Sequence, residues 1–155
     1  MWRNERKKIG VFFGHRDAPD TLREQIEATI LHLLNDGISC FYVGNHGRFD
    51  SMVMQALKQI SSSHALTYAV AVTSFDAAAK IKSHPTVLPE GVEIGPPRFA
   101  IDRRNRWMVR QADVVIAYVT RDFGGAAKYL NIARRKGATV INLGELPSPA
   151  TSALP

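Results

Sequence analysis

The sequence predicts an α/β domain in which a parallel sheet is flanked by helices, and three observations indicate this class. Short apolar runs rich in β-branched residues alternate with segments of helical periodicity. The chain has 155 residues, the size of one ordinary domain. Its composition, 45% hydrophobic and 22% charged, is that of a globular protein and excludes a disordered or fibrous chain.

Five strands are predicted, each a short apolar run bounded by turn residues. They cover residues 9–13, 38–43, 66–72, 114–119 and 138–143. The second run is apolar throughout, which is typical of a parallel strand that is buried on both faces.

Helices are predicted between these strands. The first begins near Pro19, which suits a first helical turn, and ends at Gly37, as a C-cap glycine would end it. Its apolar face carries Leu22, Ile26, Ile30, Leu33 and Leu34 at helical spacing. Further helices are predicted over residues 49–60, 75–81, 99–111 and 126–136. Residues 84–97 contain several prolines and read as a long irregular loop.

Strands joined by right-handed helical crossovers form a doubly wound, Rossmann-like sheet, and the expected strand order is 3-2-1-4-5. In this order a ligand lies beyond the carboxyl ends of the strands, between the first and the fourth, where the order reverses. We assign residues 1–144 to this ligand-binding domain. Residues 145–155, with three prolines and small polar residues, are expected to be a disordered C-terminal tail.

The charge distribution favours an anionic partner. The chain has 20 Lys and Arg residues against 14 Asp and Glu, a net charge of +6. Basic residues are concentrated between residues 98 and 136, where only Asp102, Asp113 and Asp122 oppose them. The apolar runs are too short to span a bilayer, so no membrane partner is expected. The single cysteine, Cys40, cannot form an internal disulfide, which favours the reducing cytoplasm. Because it lies in the middle of a predicted strand, it is expected to be a core residue.

Three strand-to-helix turns carry candidate ligand-binding residues. Glycines let backbone N–H groups approach a ligand, and the start of a helix adds partial positive charge. The pair Gly124-Gly125, which precedes a helix of small residues, therefore predicts a phosphate cradle. The candidates at these turns and at the helix starts beside them are Gly14, His15, Arg16, Gly44, Asn45, Gly47, Asp50, Thr120, Gly124, Gly125 and Ala126.

The segment after Pro97 supplies a second group of candidates. Its helix runs back toward the fourth strand, so its first half lies at the ligand end of the sheet. Four polar residues of this half are predicted to approach the ligand there: Arg98, Arg103, Arg104 and Asn105. Guanidinium groups suit this role because they bind phosphate through paired hydrogen bonds. The alternative is a solvated basic face of a surface helix.

Several common motifs are missing from the sequence. There is no GxGxxG after the first strand, no GxxxxGK[ST] and no GxSxG, which disfavours dinucleotide, P-loop and serine-hydrolase sites. The five histidines show no metal-ligand spacing. No cofactor and no metal are therefore expected.

The combined pattern resembles the SLOG superfamily of Rossmann-like proteins, and within it the YpsA-type proteins. The resemblance is carried by Gly14-His15-Arg16, by residues 44–50, 96–108 and 112–118, and by Gly124-Gly125-Ala126-Ala127. It spans about residues 8–143. It implies a binding site for nucleotides or nucleotide-derived ligands at the glycine turns.

The lonely-guy branch of this superfamily hydrolyses the N-glycosidic bond of cytokinin riboside monophosphates. Its Arg-Lys-x-x-Met is similar to residues 104–108, whereas its Gly-Gly-x-Gly-Thr-x-x-Glu is not kept. With Gly125-Ala126 in the place of Gly-Thr, Tyr129 stands where that branch has its catalytic glutamate. A phenol cannot stabilise a developing oxocarbenium ion as a carboxylate does. No catalytic residue is assigned, although Asp50, Glu90 and Glu93 are carboxylates that could substitute.

We therefore expect a cytoplasmic sensor or carrier that binds a nucleotide or nucleotide-derived small molecule at the carboxyl edge of the sheet. Gly124 and Gly125 would hold its phosphate, with help from Arg104 and Arg16. Asn45 and Asp50 would contact its ribose or base, and residues 84–97 would form a lid.

Two alternatives stay open at the level of sequence. One is an N-glycosidase or phosphoribohydrolase that acts on a nucleoside monophosphate. The other is a single-stranded nucleic-acid-binding module, suggested by the positive charge and by the DprA/Smf relatives within the superfamily. The oligomeric state is open as well, and analogy with related folds suggests a homodimer.

Overall fold

The computed structural model describes residues 6–144, whose strands alternate with helices along the chain. The strands are β1 (Ile9–Gly14), β2 (Cys40–Val43), β3 (Thr67–Ala71), β4 (Thr86–Val87), β5 (Val114–Tyr118) and β6 (Thr139–Asn142). The α-helices are α1 (Arg23–Asn35), α2 (Gly47–Ser61), α3 (Phe75–Lys80), α4 (Ala100–Gln111) and α5 (Gly125–Lys136). Short 3-10 turns, Asp20–Leu22 and Pro97–Phe99, lead into α1 and α4.

Within the described residues, all six strands pair in parallel in the order β4-β3-β2-β1-β5-β6. The predicted fold class, a doubly wound Rossmann-like sheet, is therefore confirmed, as is the predicted order of the five longer strands. The order reverses between β1 and β5, which pair from Gly10 with Val114 to Gly14 with Tyr118. A crevice is expected beyond the carboxyl ends of these two strands.

The sixth strand, β4, was not predicted from the sequence. It has only two residues, lies inside the proline-rich segment 84–97 and pairs with the edge of β3. The backbone N–H of Val70 donates to the Pro85 carbonyl at 2.8 Å, and that of Val72 donates to the Val87 carbonyl at 3.0 Å. A proline at the border of an edge strand costs no ladder hydrogen bond, which reconciles the strand with the sequence.

Helices cover both faces of the sheet and bury its apolar residues in two layers. On one face α1 and α2 pack against β1, β2 and β3, with Ile26, Ile30, Phe49 and Leu57 fully buried. On the other face α4 and α5 pack against β1 and β5 around Met108, Val115 and Leu130. Because both faces are covered, the strands read as nearly continuous apolar runs.

Three further predictions concern the C-terminal tail, membrane-spanning segments and Cys40. The predicted tail, residues 145–155, lies outside the described residues. No helix between residues 6 and 144 is long and apolar enough to cross a membrane. Cys40, predicted to be core, is only half-buried in β2.

Candidate functional site

A cavity of about 360 Å³ opens beyond the carboxyl ends of β1 and β5, at the point where the strand order reverses. The three glycine turns meet there, joined by the first half of α4. Ten of the predicted site residues line it: Gly14, His15, Arg16, Gly44, Asp50, Arg104, Asn105, Gly124, Gly125 and Ala126. Its volume lies in the ordinary range for small-molecule sites.

A backbone hydrogen bond joins the turn after β1 to the turn after β2. The N–H of Arg48 donates to the carbonyl of Arg16 at 2.9 Å, which ties the start of α2 to the turn after β1. Gly44 lies in a crowded place, because a Cβ there would come within 3.0 Å of both the Arg104 Nη2 and the Asp50 Oδ2, closer than an ordinary contact. The close approach of these two side chains to the backbone thus explains one of the sequence's glycines.

Arg104 is the central cation of the cavity. Its side chain comes from α4, and the residue is only 2% exposed although it lines the cavity. Its Nε donates to Asn105 Oδ1 at 3.1 Å, and its Nη1 donates to Asn45 Oδ1 at 2.8 Å and to His46 Nδ1 at 3.0 Å. These three acceptors hold the guanidinium in one orientation and leave Nη2 without a protein hydrogen bond among residues 6–144.

All three acceptors are neutral groups, and no ion pair within residues 6–144 includes Arg104. Burial lowers the pKa of Arg104, yet a guanidinium stays charged at neutral pH. A buried charge is expensive unless an opposite charge compensates it. The nearby charge of Asp50 compensates this burial only in part, so Arg104 remains a cation in the cavity wall with its Nη2 open to a further acceptor.

Asp50 places a carboxyl group in the same wall. It is 7% exposed, and its Oδ2 accepts the backbone N–H of His46, the residue before α2, at 3.0 Å. Burial raises the pKa of Asp50 to about 6, against the lowering effects of this hydrogen bond and of the charge on Arg104. The group can therefore donate or accept a hydrogen bond near neutral pH.

The raised pKa of Asp50 predicts a pH-dependent loss of stability. The folded protein holds this proton more tightly than the unfolded chain, whose carboxyl has a pKa near 3.8. The contribution of Asp50 to the free energy of unfolding should fall by up to about 3 kcal/mol as the pH rises from about 4 to about 6. In Asp50→Asn this contribution is absent, so the variant should gain stability relative to wild type over that range.

Urea unfolding of both proteins between pH 4 and pH 7 checks this. The difference between them is the quantity to follow, because the contributions of His15 and His46 are largely common to both. A difference that does not change with pH would contradict the assignment.

Two histidines act as hydrogen-bond acceptors at the cavity. The Nε2 of His15 accepts the backbone N–H of Thr120 at 3.0 Å, and His46 accepts from Arg104 as described. Each ring is therefore neutral, with its proton on the other nitrogen. Burial lowers the pKa of both, helped by the charge of Arg121 on His15 and that of Arg104 on His46. Both histidines position the turns around the cavity.

The start of α5 forms another part of the cavity wall, beside the turns after β1 and β2. Gly124 precedes the helix with φ +94°, a left-handed conformation that favours glycine. No heavy atom lies within 4 Å of a Cβ built on Gly124 or on Gly125, so both face open space. Gly124, Gly125 and Ala126 line the cavity, and the first N–H groups of a helix, here α5 with 12 residues, have no partner within the helix itself.

Tyr129 lines the cavity one helical turn after Gly125. Its ring stacks on Phe13 with 5.5 Å between the ring centroids, and its hydroxyl donates to Asp102 Oδ1 at 2.5 Å. Burial and this hydrogen bond raise the pKa of Tyr129 to about 12. Although burial acts in the opposite direction, hydrogen bonds from Tyr129, Lys128 and Arg106 lower the pKa of Asp102 to about 2. Tyr129 is thus a neutral donor that is already engaged.

Four predicted site residues do not line the cavity. Asn45 orients Arg104, Thr120 donates its N–H to His15, and Gly47 packs against Arg16. Arg98 lies in the 3-10 turn before α4 and its guanidinium sits over the ring of Phe99, 4.8 Å from the centroid.

The segment 84–97 also contributes no residue to the cavity wall. Arg103 fastens it to α4, because its Nε donates to the Val92 carbonyl at 2.8 Å and its Nη1 donates to the Pro96 carbonyl at 3.0 Å. The lid function of this segment stays a prediction. Arg103, which we expected near the ligand, instead holds this loop.

Seven residues that line the cavity were outside the predicted set. They are Phe12, Phe13, Asp17, His46, Ile101, Arg121 and Tyr129. Helical spacing could have added two of them, since Ile101 lies three residues before Arg104 and Tyr129 four residues after Gly125. Asp17 and Arg121 come from two different turns and approach within 3.6 Å, a pairing that sequence separation conceals.

The described part of the chain has no cluster of three His, Cys, Asp or Glu side chains that could hold a metal ion. No model of a known protein family matches the sequence, and no curated protein matches it either. The fold and the site together define a class: a Rossmann-like parallel α/β protein with a cationic cavity where the strand order of its sheet reverses.

Proposed function

We propose that this cavity binds a nucleotide or nucleotide-derived small molecule, and that the protein acts as a cytoplasmic sensor or carrier of it. The observation that carries the proposal is the guanidinium of Arg104, buried without an ionic partner among residues 6–144 and facing the accessible start of α5. A phosphate between the two would neutralise the guanidinium and accept the backbone N–H groups of the helix.

The remaining wall supports a ligand larger than phosphate alone. Arg16 at the rim adds a second cation, while Phe13 and Ile101 add apolar surface. Asp50 offers a hydrogen bond to a sugar hydroxyl or to a base. A phosphate joined to a partly apolar, hydroxylated group is the chemistry of a nucleotide.

The resemblance to the SLOG superfamily and its YpsA-type members supports the same proposal. The segments that carry it include the three turns and the helix that supply most of the cavity wall. Tyr129, in the position of the lonely-guy catalytic glutamate, is a neutral phenol already bound to Asp102. Binding that leaves the ligand intact is therefore our first proposal.

A thermal-shift panel tests it directly. The compounds are ribonucleoside 5′-monophosphates, diphosphates and triphosphates, cyclic nucleotides, ADP-ribose and ribose 5-phosphate, with unphosphorylated nucleosides as matched controls. A ligand at about 100 times its dissociation constant adds about 2.7 kcal/mol, which raises Tm by roughly 5–10 °C for a protein of this size. We expect the phosphorylated compounds to raise Tm and the unphosphorylated nucleosides to leave it unchanged. Equal increases in Tm with the nucleosides would contradict the phosphate assignment.

One observation favours hydrolysis as a second candidate function. Of the three carboxylates that could replace the missing glutamate, Asp50 lines the cavity whereas Glu90 and Glu93 do not. With its raised pKa, Asp50 could serve as the acid–base group of an N-glycosidase acting on a nucleoside monophosphate. Chromatography of the same incubations decides between the two: intact nucleotide supports a sensor or carrier, and free base that disappears with Asp50→Asn supports the enzyme.

A further inference from the structure

Basic side chains also gather at the opposite, amino edge of the sheet. Residues 6–8 lie there because they lead directly into β1. The ends of α4 and α5 lie there as well, since both helices run back antiparallel to the strands they follow. We call the cations of these segments the amino-edge basic surface: Arg6, Lys7, Lys8, Arg110, Arg134, Arg135 and Lys136.

Specific contacts hold this surface together. Arg6 makes two hydrogen bonds to Asp113, at 2.6 and 3.1 Å, and Asp113 also accepts the N–H of Ile9 at 2.8 Å. The Nζ of Lys136 donates to the carbonyls of Val109 and Arg110 at 2.7 and 2.9 Å. The segment before β1, the end of α4 and the end of α5 are thereby brought into one surface.

The surface encloses a concavity of about 440 Å³, lined by Arg6, Arg110, Asp113 and Lys136 among others. Asp113 is the one carboxylate in residues 6–8, 110–113 and 134–138. The side chains of Lys7, Lys8, Arg110, Arg134 and Arg135 are exposed and make no hydrogen bond or ion pair within residues 6–144. A positive electrostatic field with several cations that have no partner among the described residues is typical of a site that binds a polyanion.

Helix dipoles explain only part of this charge. Cations in the last turns of α4 and α5 are favoured by the partial negative charge of a helix C-terminus, and Lys136 caps such carbonyls. Lys7 and Lys8 belong to no helix, so their position beside the helix ends is not accounted for in that way. The surface therefore carries more positive charge than its own fold requires.

We propose that the amino-edge basic surface binds the phosphate backbone of a nucleic acid, independently of sequence. Its cations extend past the concavity along three segments, which fits a chain of phosphates better than one small anion. None of its segments exposes a large hydrophobic or aromatic side chain. Base stacking, a protein interface with an apolar core and insertion into a bilayer all need such side chains.

This surface is separate from the cavity. The two lie at opposite ends of β1, a strand of six residues, and are therefore roughly 20 Å apart. The proposal consequently does not depend on the function proposed for the cavity, and variants at one place should leave binding at the other unchanged.

Fluorescence anisotropy with a labelled oligonucleotide tests the proposal, using single-stranded and double-stranded DNA and RNA. We compare Arg134→Glu/Arg135→Glu with Lys80→Glu/Lys82→Glu, which makes the same change in net charge at exposed positions beside the far edge of the sheet. Lys7→Glu/Lys8→Glu is a second test variant that leaves α5 unaltered. We expect each amino-edge variant to lose about tenfold or more in affinity, with a shallower dependence on salt.

The control pair should change the affinity much less, and so should Arg104→Met in the cavity. Equal losses in the control and in both amino-edge variants would reduce the effect to net charge and overturn the proposal. Absence of oligonucleotide binding at about 50 mM salt would overturn it too. Tripolyphosphate serves as the probe for a small anion. If it binds at this surface but no oligonucleotide competes with it, the surface binds a small anion instead and the proposal fails.

Discussion

Replacing Gly125 with leucine is expected to lower the affinity for ribonucleoside 5′-phosphates by about 100-fold or more while the protein stays folded. Gly125 is the first residue of α5, and a Cβ there meets no heavy atom within 4 Å. A leucine side chain therefore enters the open space that we assign to the phosphate. A 100-fold loss corresponds to about 2.7 kcal/mol, the size of one or two charge-assisted hydrogen bonds.

Isothermal titration calorimetry with the nucleotides that shift Tm most measures this loss. Asn131→Leu is the matched control, because Asn131 is exposed on the same helix and does not line the cavity. Gly124 is a poorer choice than Gly125, since its φ of +94° would strain any other residue. If Gly125→Leu kept wild-type affinity with a normal Tm, the phosphate would not lie at the start of α5.

Replacing Arg104 with methionine is expected to abolish binding of phosphorylated ligands at almost no cost in stability. The guanidinium is buried and forms no ion pair within residues 6–144, and the nearby charge of Asp50 offsets the cost of that burial only in part, so the folded protein without ligand gains little net free energy from it. Methionine fills much of the same volume, and water can reach the acceptors Asn45, His46 and Asn105 because all three are only half-buried. The free energy of unfolding of the ligand-free protein should change by no more than about 1 kcal/mol.

Urea unfolding without ligand and calorimetry with ligand together check this prediction. Arg110→Met is the matched control, because it removes the same charge from the exposed far end of the same helix. A variant that loses several kcal/mol of stability would show that Arg104 is mainly structural. A variant that still binds nucleotides as wild type does would remove it from the site.

The fold was predictable because strands buried on both faces are apolar throughout, and because the helices that cover them carry apolar residues at helical spacing. The short edge strand Thr86–Val87 was not, since two residues show no periodicity and their pairing partner is remote in sequence. The crevice was predictable once the strand order was expected, because parallel strands deliver their carboxyl ends to one edge. Which side chains enter it depends on helix phase and on contacts between turns.

Arg98 and Arg104 illustrate that dependence. Both lie in the basic segment, but the 3-10 turn Pro97–Phe99 directs Arg98 away from the cavity, whereas the second turn of α4 buries Arg104 in its wall. Asn45 and His46 are neighbours in one turn, and yet His46 lines the cavity while Asn45 orients Arg104 from behind. Sequence shows that such a turn is polar and cannot show which of its side chains faces inward.

Both the resemblance and the structure give information about Tyr129. The resemblance to the lonely-guy motif implies a phenol in the position of a catalytic carboxylate, and in the structure that phenol donates a hydrogen bond to Asp102. The position therefore supplies a wall and a positioned hydroxyl. In our second candidate function the carboxyl group is that of Asp50, on a different helix.

The most direct test of a phosphate-binding cavity compares each nucleoside with its own 5′-monophosphate by calorimetry on the wild-type protein. We expect at least one monophosphate to bind about 100-fold or more tightly than its nucleoside, a difference of about 2.7 kcal/mol that we assign to Arg104 and the start of α5. We also expect this preference to disappear in Arg104→Met. Monophosphates that bind no better than their nucleosides would contradict the account.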